Sequence, residues 1–171
     1  KQGRALGYHK NGTLWSRAFY ENDTIQGTYT SYYSNGILES EGEMVDGKKA
    51  GKWVYFYDNG DPIATVDNIE GEESGPVTIY YKSGKLNSQG NMVNNEKNGY
   101  WETYFESGTL ANKGSFLNGK RNGEWIYYHE NGEIQDIGTY ANDKEEGNHK
   151  RNYDNGQLET DGHYEGGISN G

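Results

Sequence analysis

The sequence predicts an all-β fold, an elongated antiparallel meander of about seven 24-residue β-hairpin repeats. Three observations predict it. Glycines recur at a fixed interval of 24 residues, a turn former precedes one glycine of each copy, and aromatic residues keep a constant phase to both. Composition alone leaves the class open. A hydrophobic content of 31% with a net charge of −10 is common in disordered chains, whereas 14% aromatic residues and 26 glycines are not the disordered signature.

The glycines fall into columns. Gly12, Gly36, Gly60, Gly84, Gly108, Gly132 and Gly156 form the first, and Gly3, Gly27, Gly51, Gly75, Gly99, Gly123, Gly147 and Gly171 the second. Gly42, Gly90, Gly114, Gly138 and Gly162 form a third, and Gly47, Gly71, Gly119 and Gly167 a fourth. Repeats of this period mark arrays in which each copy is one supersecondary unit. Ahead of the first column stand Asn11, Asn35, Asn59, Ser83, Ser107, Asn131 and Asn155. Two residues beyond it come Leu14, Leu38, Leu86, Leu110, Ile134 and Leu158. The chain reads as a single tandem-repeat domain over 1–171, cut partway through a repeat at both ends. Residues 61–76 are its degenerate segment, with Pro62 in the leucine column and Val66 in a glycine column.

Asn-Gly between strand-like runs is a strong signal for a two-residue hairpin turn, because both central residues need positive φ. Each copy therefore reads as strand, Asn-Gly turn, strand and a second turn such as Asn118 to Gly123. That register places Trp101 opposite Gly114, Trp125 opposite Gly138 and Tyr29 opposite Gly42. It also sets Gly99 against Phe116, Gly123 against Tyr140 and Gly147 against Tyr164. A ring laid over a cross-strand glycine covers bare backbone and pins the register. Side-chain alternation separates two faces. One carries Trp101, Phe105, Leu110 and Gly114 and is the expected packed face. The other carries the rings Tyr32, Phe56, Tyr80, Tyr104 and Tyr128, with mostly polar neighbours such as Glu39, Glu41 and Glu43, or Asn87, Gln89 and Asn91. Strands spaced about 4.8 Å apart would carry seven repeats over roughly 65 Å before twist.

The pattern Gly-x-Trp-x-x-Tyr-Tyr-x-Asn-Gly-x-Leu, as in Gly123 to Ile134, resembles the bacterial variant of the MORN repeat, and copies at 51–62 and 99–110 are the next closest. The resemblance covers nearly the whole chain. It implies a non-enzymatic β-hairpin array that serves as an interaction scaffold. Some bacterial members carry an antitoxin label, which extends the implied roles to neutralising a toxin.

No residue set points to catalysis, a cofactor or a metal. Without cysteine there is no thiolate ligand, disulfide or thiol nucleophile. His9 and His129 stand in the column of Tyr33, Tyr57, Tyr81, Phe105 and Tyr153, and His149 stands in that of Trp53, Trp101 and Trp125. They read as substitutions at repeat positions, with no nucleophile and orienting partner beside them. Glu145-Glu146 and Glu72-Glu73 fall near turns, where solvated charge is ordinary. Asp58-Asn59-Gly60-Asp61 lacks the further ligands of a calcium loop.

Charge bounds the partners. A net charge of −10 and a pI near 4.8 disfavour nucleic acid, whose binding rests on neutralised phosphates, and general adsorption to anionic membranes. No apolar run approaches the roughly 20 residues that span a bilayer, so membrane insertion is not expected. Cytoplasmic and exported locations both fit. The function expected is binding of a protein partner through Tyr32, Phe56, Tyr80, Tyr104 and Tyr128. The alternatives are an acidic antitoxin and a structural component that assembles end to end through open strand edges.

Overall fold

A computed structural model describes residues 1–170. Gly171, the last member of the second glycine column, lies outside the described residues. Those residues form fifteen antiparallel strands and no helix. Two units divide them. The first, Lys1–Lys85, holds β1 (Gly3–Tyr8), β2 (Leu14–Glu21), β3 (Thr24–Tyr32), β4 (Leu38–Val45), β5 (Lys48–Phe56), β6 (Pro62–Ile69) and β7 (Glu72–Tyr80). The second starts at Leu86 and holds β8 (Leu86–Val93), β9 (Glu96–Tyr104), β10 (Leu110–Leu117), β11 (Lys120–Tyr128), β12 (Ile134–Ala141), β13 (Lys144–Asn152), β14 (Leu158–Glu165) and β15 (Ile168–Ser169). Inside each unit every strand pairs with the next in sequence, so both are meanders of repeated hairpins.

The two kinds of turn are the reverse of the expectation. At Asn-Gly the chain makes a three-residue loop. His9 N–H donates to Thr13 O at 2.8 Å and Gly12 N–H to His9 O at 2.9 Å, and Gly12 alone takes positive φ (85°). This is a type I turn closed by a glycine bulge. The asparagine is selected for its side chain. Asn11, Asn35 and Asn131 each accept the N–H two residues on, from Thr13, Ile37 and Glu133. Their Nδ2 atoms reach the carbonyls of Ser34, Asp58 and Asp154 in the following repeat. The two-residue turn with both φ values positive lies at the other end of the hairpins. It is seen at Asn118 (50°) and Gly119 (74°), Asp46 (48°) and Gly47 (76°), and Asn142 (51°) and Asp143 (69°).

The expected register is nevertheless found. Gly114 pairs with Trp101, Gly138 with Trp125 and Gly42 with Tyr29. Phe116 pairs with Gly99, Tyr140 with Gly123 and Tyr164 with Gly147. The loop adds one residue, and a bulge between Leu110 and Asn112 adds one on the partner side. The two shifts cancel beyond the bulge. Between bulge and turn they do not, so Leu110 pairs with Tyr104 and shares its face rather than that of Trp101.

The packed face is the tryptophan face, where Trp53, Trp101 and Trp125 are 1%, 2% and 3% exposed. Each indole covers the glycine of the preceding strand: Trp53 over Gly42, Trp101 over Gly90 and Trp125 over Gly114. The expected cover of Gly114 by Trp101 is thus replaced by that of Trp125. The cause is a second bulge. Gly123, at φ +83°, falls where the β10–β11 register shifts, and such a bulge re-aims the next side chain. The indole N–H then bonds the carbonyl beyond the covered glycine, Glu43 at 3.1 Å, Asn91 at 3.0 Å and Ser115 at 3.0 Å. In the degenerate segment the hairpin is regular, with Trp53 paired to Val66 and Phe56 to Pro62. Val66 pairs in turn with Val77, and both are buried. Two valines there fill the space of one glycine and one tryptophan.

Candidate interaction surface

Each ring of the candidate column ends a first strand, where alternation turns it away from the tryptophans. Tyr32 pairs with Leu38 and Phe56 with Pro62 in the first unit, and Tyr104 with Leu110 and Tyr128 with Ile134 in the second. Paired residues share a face, so the outer face presents aromatic–aliphatic couples. Tyr32, Phe56, Tyr80, Tyr104 and Tyr128 are all half-buried. Sequence reasoning assigned Leu110 to the packed face because it contained no bulge, and so missed the aliphatic half of each couple. It also passed over Tyr8, 24 residues before Tyr32, which pairs with Leu14 and is 61% exposed. The period itself could have found that residue.

In the second unit the column is tied into a polar network. Glu102 accepts from the Tyr104 hydroxyl at 2.7 Å, Gln89 Nε2 at 2.8 Å and the Tyr100 hydroxyl at 3.2 Å. The bonds from Gln89 and Tyr104, ahead of a smaller one from Tyr100, hold its carboxyl below the usual range, against the opposing effect of desolvation. The same bond to Glu102 raises the Tyr104 phenol. Lys113 lies 5.8 Å from the Tyr128 ring centre, and the Tyr128 hydroxyl beside it raises its ammonium. A carboxylate, an amide, an ammonium and three phenols thus share one face in fixed geometry.

The histidines carry the bonds of the residues they replace. His9 Nε2 lies 2.8 Å from Tyr32 O and His129 Nε2 2.9 Å from Asn152 O, as the Tyr33 hydroxyl lies 2.7 Å from Phe56 O. His149 covers Gly138 and bonds Thr139 O at 2.8 Å, the part played elsewhere by an indole. Its Nδ1 has no partner within hydrogen-bond range and sits 3.9 Å from both Asp136 and Glu145. No group of three or more His, Asp or Glu residues suited to a metal ion occurs among the described residues. Glu39, expected beside Glu41 and Glu43, instead lines an open cavity of about 390 Å³ with Trp15, Tyr29 and Trp53. Glu39 and Trp15 are equivalent bulge residues of their repeats, which is why simple alternation misplaces them.

Among the described residues no helix is long and apolar enough to cross a membrane. A comparison with curated proteins finds no match. The sequence pattern of one family, described as the MORN repeat variant, matches residues 1–22, 25–46, 73–94, 97–118, 121–142 and 145–165. These segments run from one two-residue turn to the next, and the span they leave out, 47–72, contains the two departures Pro62 and Val66. MORN repeats are generally protein- and membrane-interaction motifs, and the family is a non-enzymatic repeat module. The matched segments take up most of the sequence, and the chain belongs to the MORN repeat variant family.

Proposed function

We propose that this chain is a scaffold that binds a protein partner through the aromatic column of its outer face. The observation that carries the reading is the repeated couple, Tyr32 with Leu38, Phe56 with Pro62, Tyr104 with Leu110 and Tyr128 with Ile134, whose ring is half-buried in every case. Tyrosine brings large contact area and a polar hydroxyl with few rotatable bonds, which suits recognition. The network around Glu102 fixes the rings of the second unit before a partner arrives, which lowers the ordering cost of association.

The test is a crosslinking capture that compares the intact chain with Tyr80→Ser/Tyr104→Ser/Tyr128→Ser. The variant is expected to keep its β circular-dichroism signal and to lose the protein captured by the intact chain. Undiminished capture by the variant sinks the proposal.

Charge supports two other readings. A net charge of −10 suits an antitoxin that covers a basic toxin surface, and an association rate indifferent to salt would remove it. Self-association end to end draws on the outermost strands, since residues 1–20 carry only positive charge and residues 152–171 contain Asp154, Glu159, Asp161 and Glu165 with no Lys or Arg. Sedimentation that stays monomeric at high concentration would exclude it.

A further inference from the structure

The first hairpin departs from the acidic character of the chain. Residues 1–20 contain Lys1, Arg4, Lys10 and Arg17 and no carboxylate, whereas all 26 Asp and Glu residues follow, with 12 Lys and Arg among them. The other two arginines have carboxylate partners, Arg121 with Asp143 and Arg151 with Asp136. Arg4 and Arg17 make no ion pair among the described residues and both are exposed.

The strands interleave these cations with apolar side chains. Arg4 pairs with Phe19 and Leu6 with Arg17 on the outer face, which makes a checkerboard in which Leu6 is 51% and Phe19 42% exposed. Two open cavities adjoin it. One of about 470 Å³ is lined by Arg4, Leu6 and Arg17, and one of about 410 Å³ by Arg4, Arg17, Phe19, Gln26 and Thr28, with Glu21 also in its lining. An exposed apolar patch holding two uncompensated guanidiniums marks an interaction site, because arginine and aromatic side chains supply much of the energy at protein interfaces.

We propose that the outer face of β1 and β2 docks an extended acidic peptide segment of a partner protein. Charge complementarity selects the anion, and the guanidinium fork favours carboxylate. Leu6 and Phe19 flank the line between the two guanidiniums. They select a ligand whose carboxylates sit on methylene stems that pack against them, which a free inorganic anion lacks. The residue between two such glutamates points to the other side of the extended chain. Spacing selects the conformation. Diagonal neighbours on adjacent strands lie roughly 7–8 Å apart, and carboxylates at alternate positions of an extended chain lie about 7 Å apart. Arg4 and Arg17 are such diagonal neighbours, so a Glu-Leu-Glu segment can meet both. The strong negative charge of the remaining chain opposes broad contact with an anionic lipid surface. This inference is independent of the aromatic column, because none of its residues belongs to that column.

The probe is a short fluorescein-labelled peptide with Glu-Leu-Glu in a Gly/Ser background, titrated with the full chain and followed by anisotropy. It should bind with an affinity that falls as salt rises, and the Gln-Leu-Gln peptide should bind about tenfold more weakly or not at all. Arg4→Gln/Arg17→Gln should reproduce that loss with unchanged circular dichroism, while the charge-matched Lys52→Gln/Lys120→Gln should not. Equal binding of the two peptides, or an unaffected arginine variant, overturns the proposal. So does capture of phosphatidylserine vesicles by the intact chain without peptide binding. Retained binding in the Tyr80/Tyr104/Tyr128 variant would separate this site from the column.

Discussion

Gly114 and Gly162 occupy the same column of the repeat yet meet different surroundings. A methyl group on Gly114 would overlap the Trp125 indole, which is buried and bonded to Ser115 O, so neither ring nor strand can move aside. On Gly162 the nearest atom is Tyr164 Cε2 at 3.4 Å, an ordinary contact, and φ is not positive. Gly114→Ala should therefore cost about 1–3 kcal/mol of stability as an overpacking change. Gly162→Ala should stay within about 0.5 kcal/mol of the parent. Urea midpoints of the two variants decide it, and equal losses would mean that the column is conserved for backbone reasons alone. At this scale much was legible in the sequence. Histidines standing in tyrosine and tryptophan columns were readable as substitutions, and they keep the bonds of those columns. Which ring covers which glycine was not legible, because the answer depends on the bulge at Gly123 and no pairing rule contains it.

The turns show where element-level reading stops. Asn11-Gly12 and Asn118-Gly119 are the same dipeptide, but the first sits in a three-residue loop and the second is a two-residue turn. Asparagine serves both, by its side-chain bonds in one and by tolerance of positive φ in the other, so the residues alone do not separate them. The register was legible because the added loop residue and the added bulge residue cancel. The face of Leu110 was not, because it lies between the two. The same physics identifies a weak turn. Glu70 stands at φ +53° ahead of Gly71, where the other repeats use Asn, Asp or Gly. A left-handed conformation costs most residues roughly 1–2 kcal/mol and asparagine less. Glu70→Asn is therefore expected to stabilise the chain by about 0.5–1 kcal/mol, read as a higher urea midpoint. An unchanged or lower midpoint would show that the glutamate side chain offsets its own backbone strain.

Taken as a whole, the molecule holds an excess of ten negative charges, and most of its carboxylates remain in water. Few ion pairs among the described residues oppose them. Lys82–Asp58 and Lys150–Asp161 are largely exposed, Arg121–Asp143 is partly so, and Arg151–Asp136 is the most enclosed on its acidic side. Exposed pairs contribute about 0–1 kcal/mol each, while repulsion among the unpaired carboxylates acts over longer distances. Salt separates the two effects. Between about 0.01 M and 0.15 M ionic strength the screening length shrinks from about 30 Å to about 8 Å. Contacts of 3–4 Å survive that change better than repulsion between more distant charges. The melting temperature should accordingly rise with NaCl over this range, by roughly 2–4 °C if about 1 kcal/mol of repulsion is screened. Arg4→Gln/Arg17→Gln makes the chain two charges more negative and should steepen the rise. A melting temperature that falls with salt would mean that the few ion pairs outweigh the repulsion, with the Arg151–Asp136–His149 cluster the first place to look for the compensation. The acidic peptide proposed for the first hairpin should respond in the opposite sense, binding more weakly as the fold grows more stable. One salt titration of the full chain thus distinguishes charge that burdens the fold from charge that recruits a ligand.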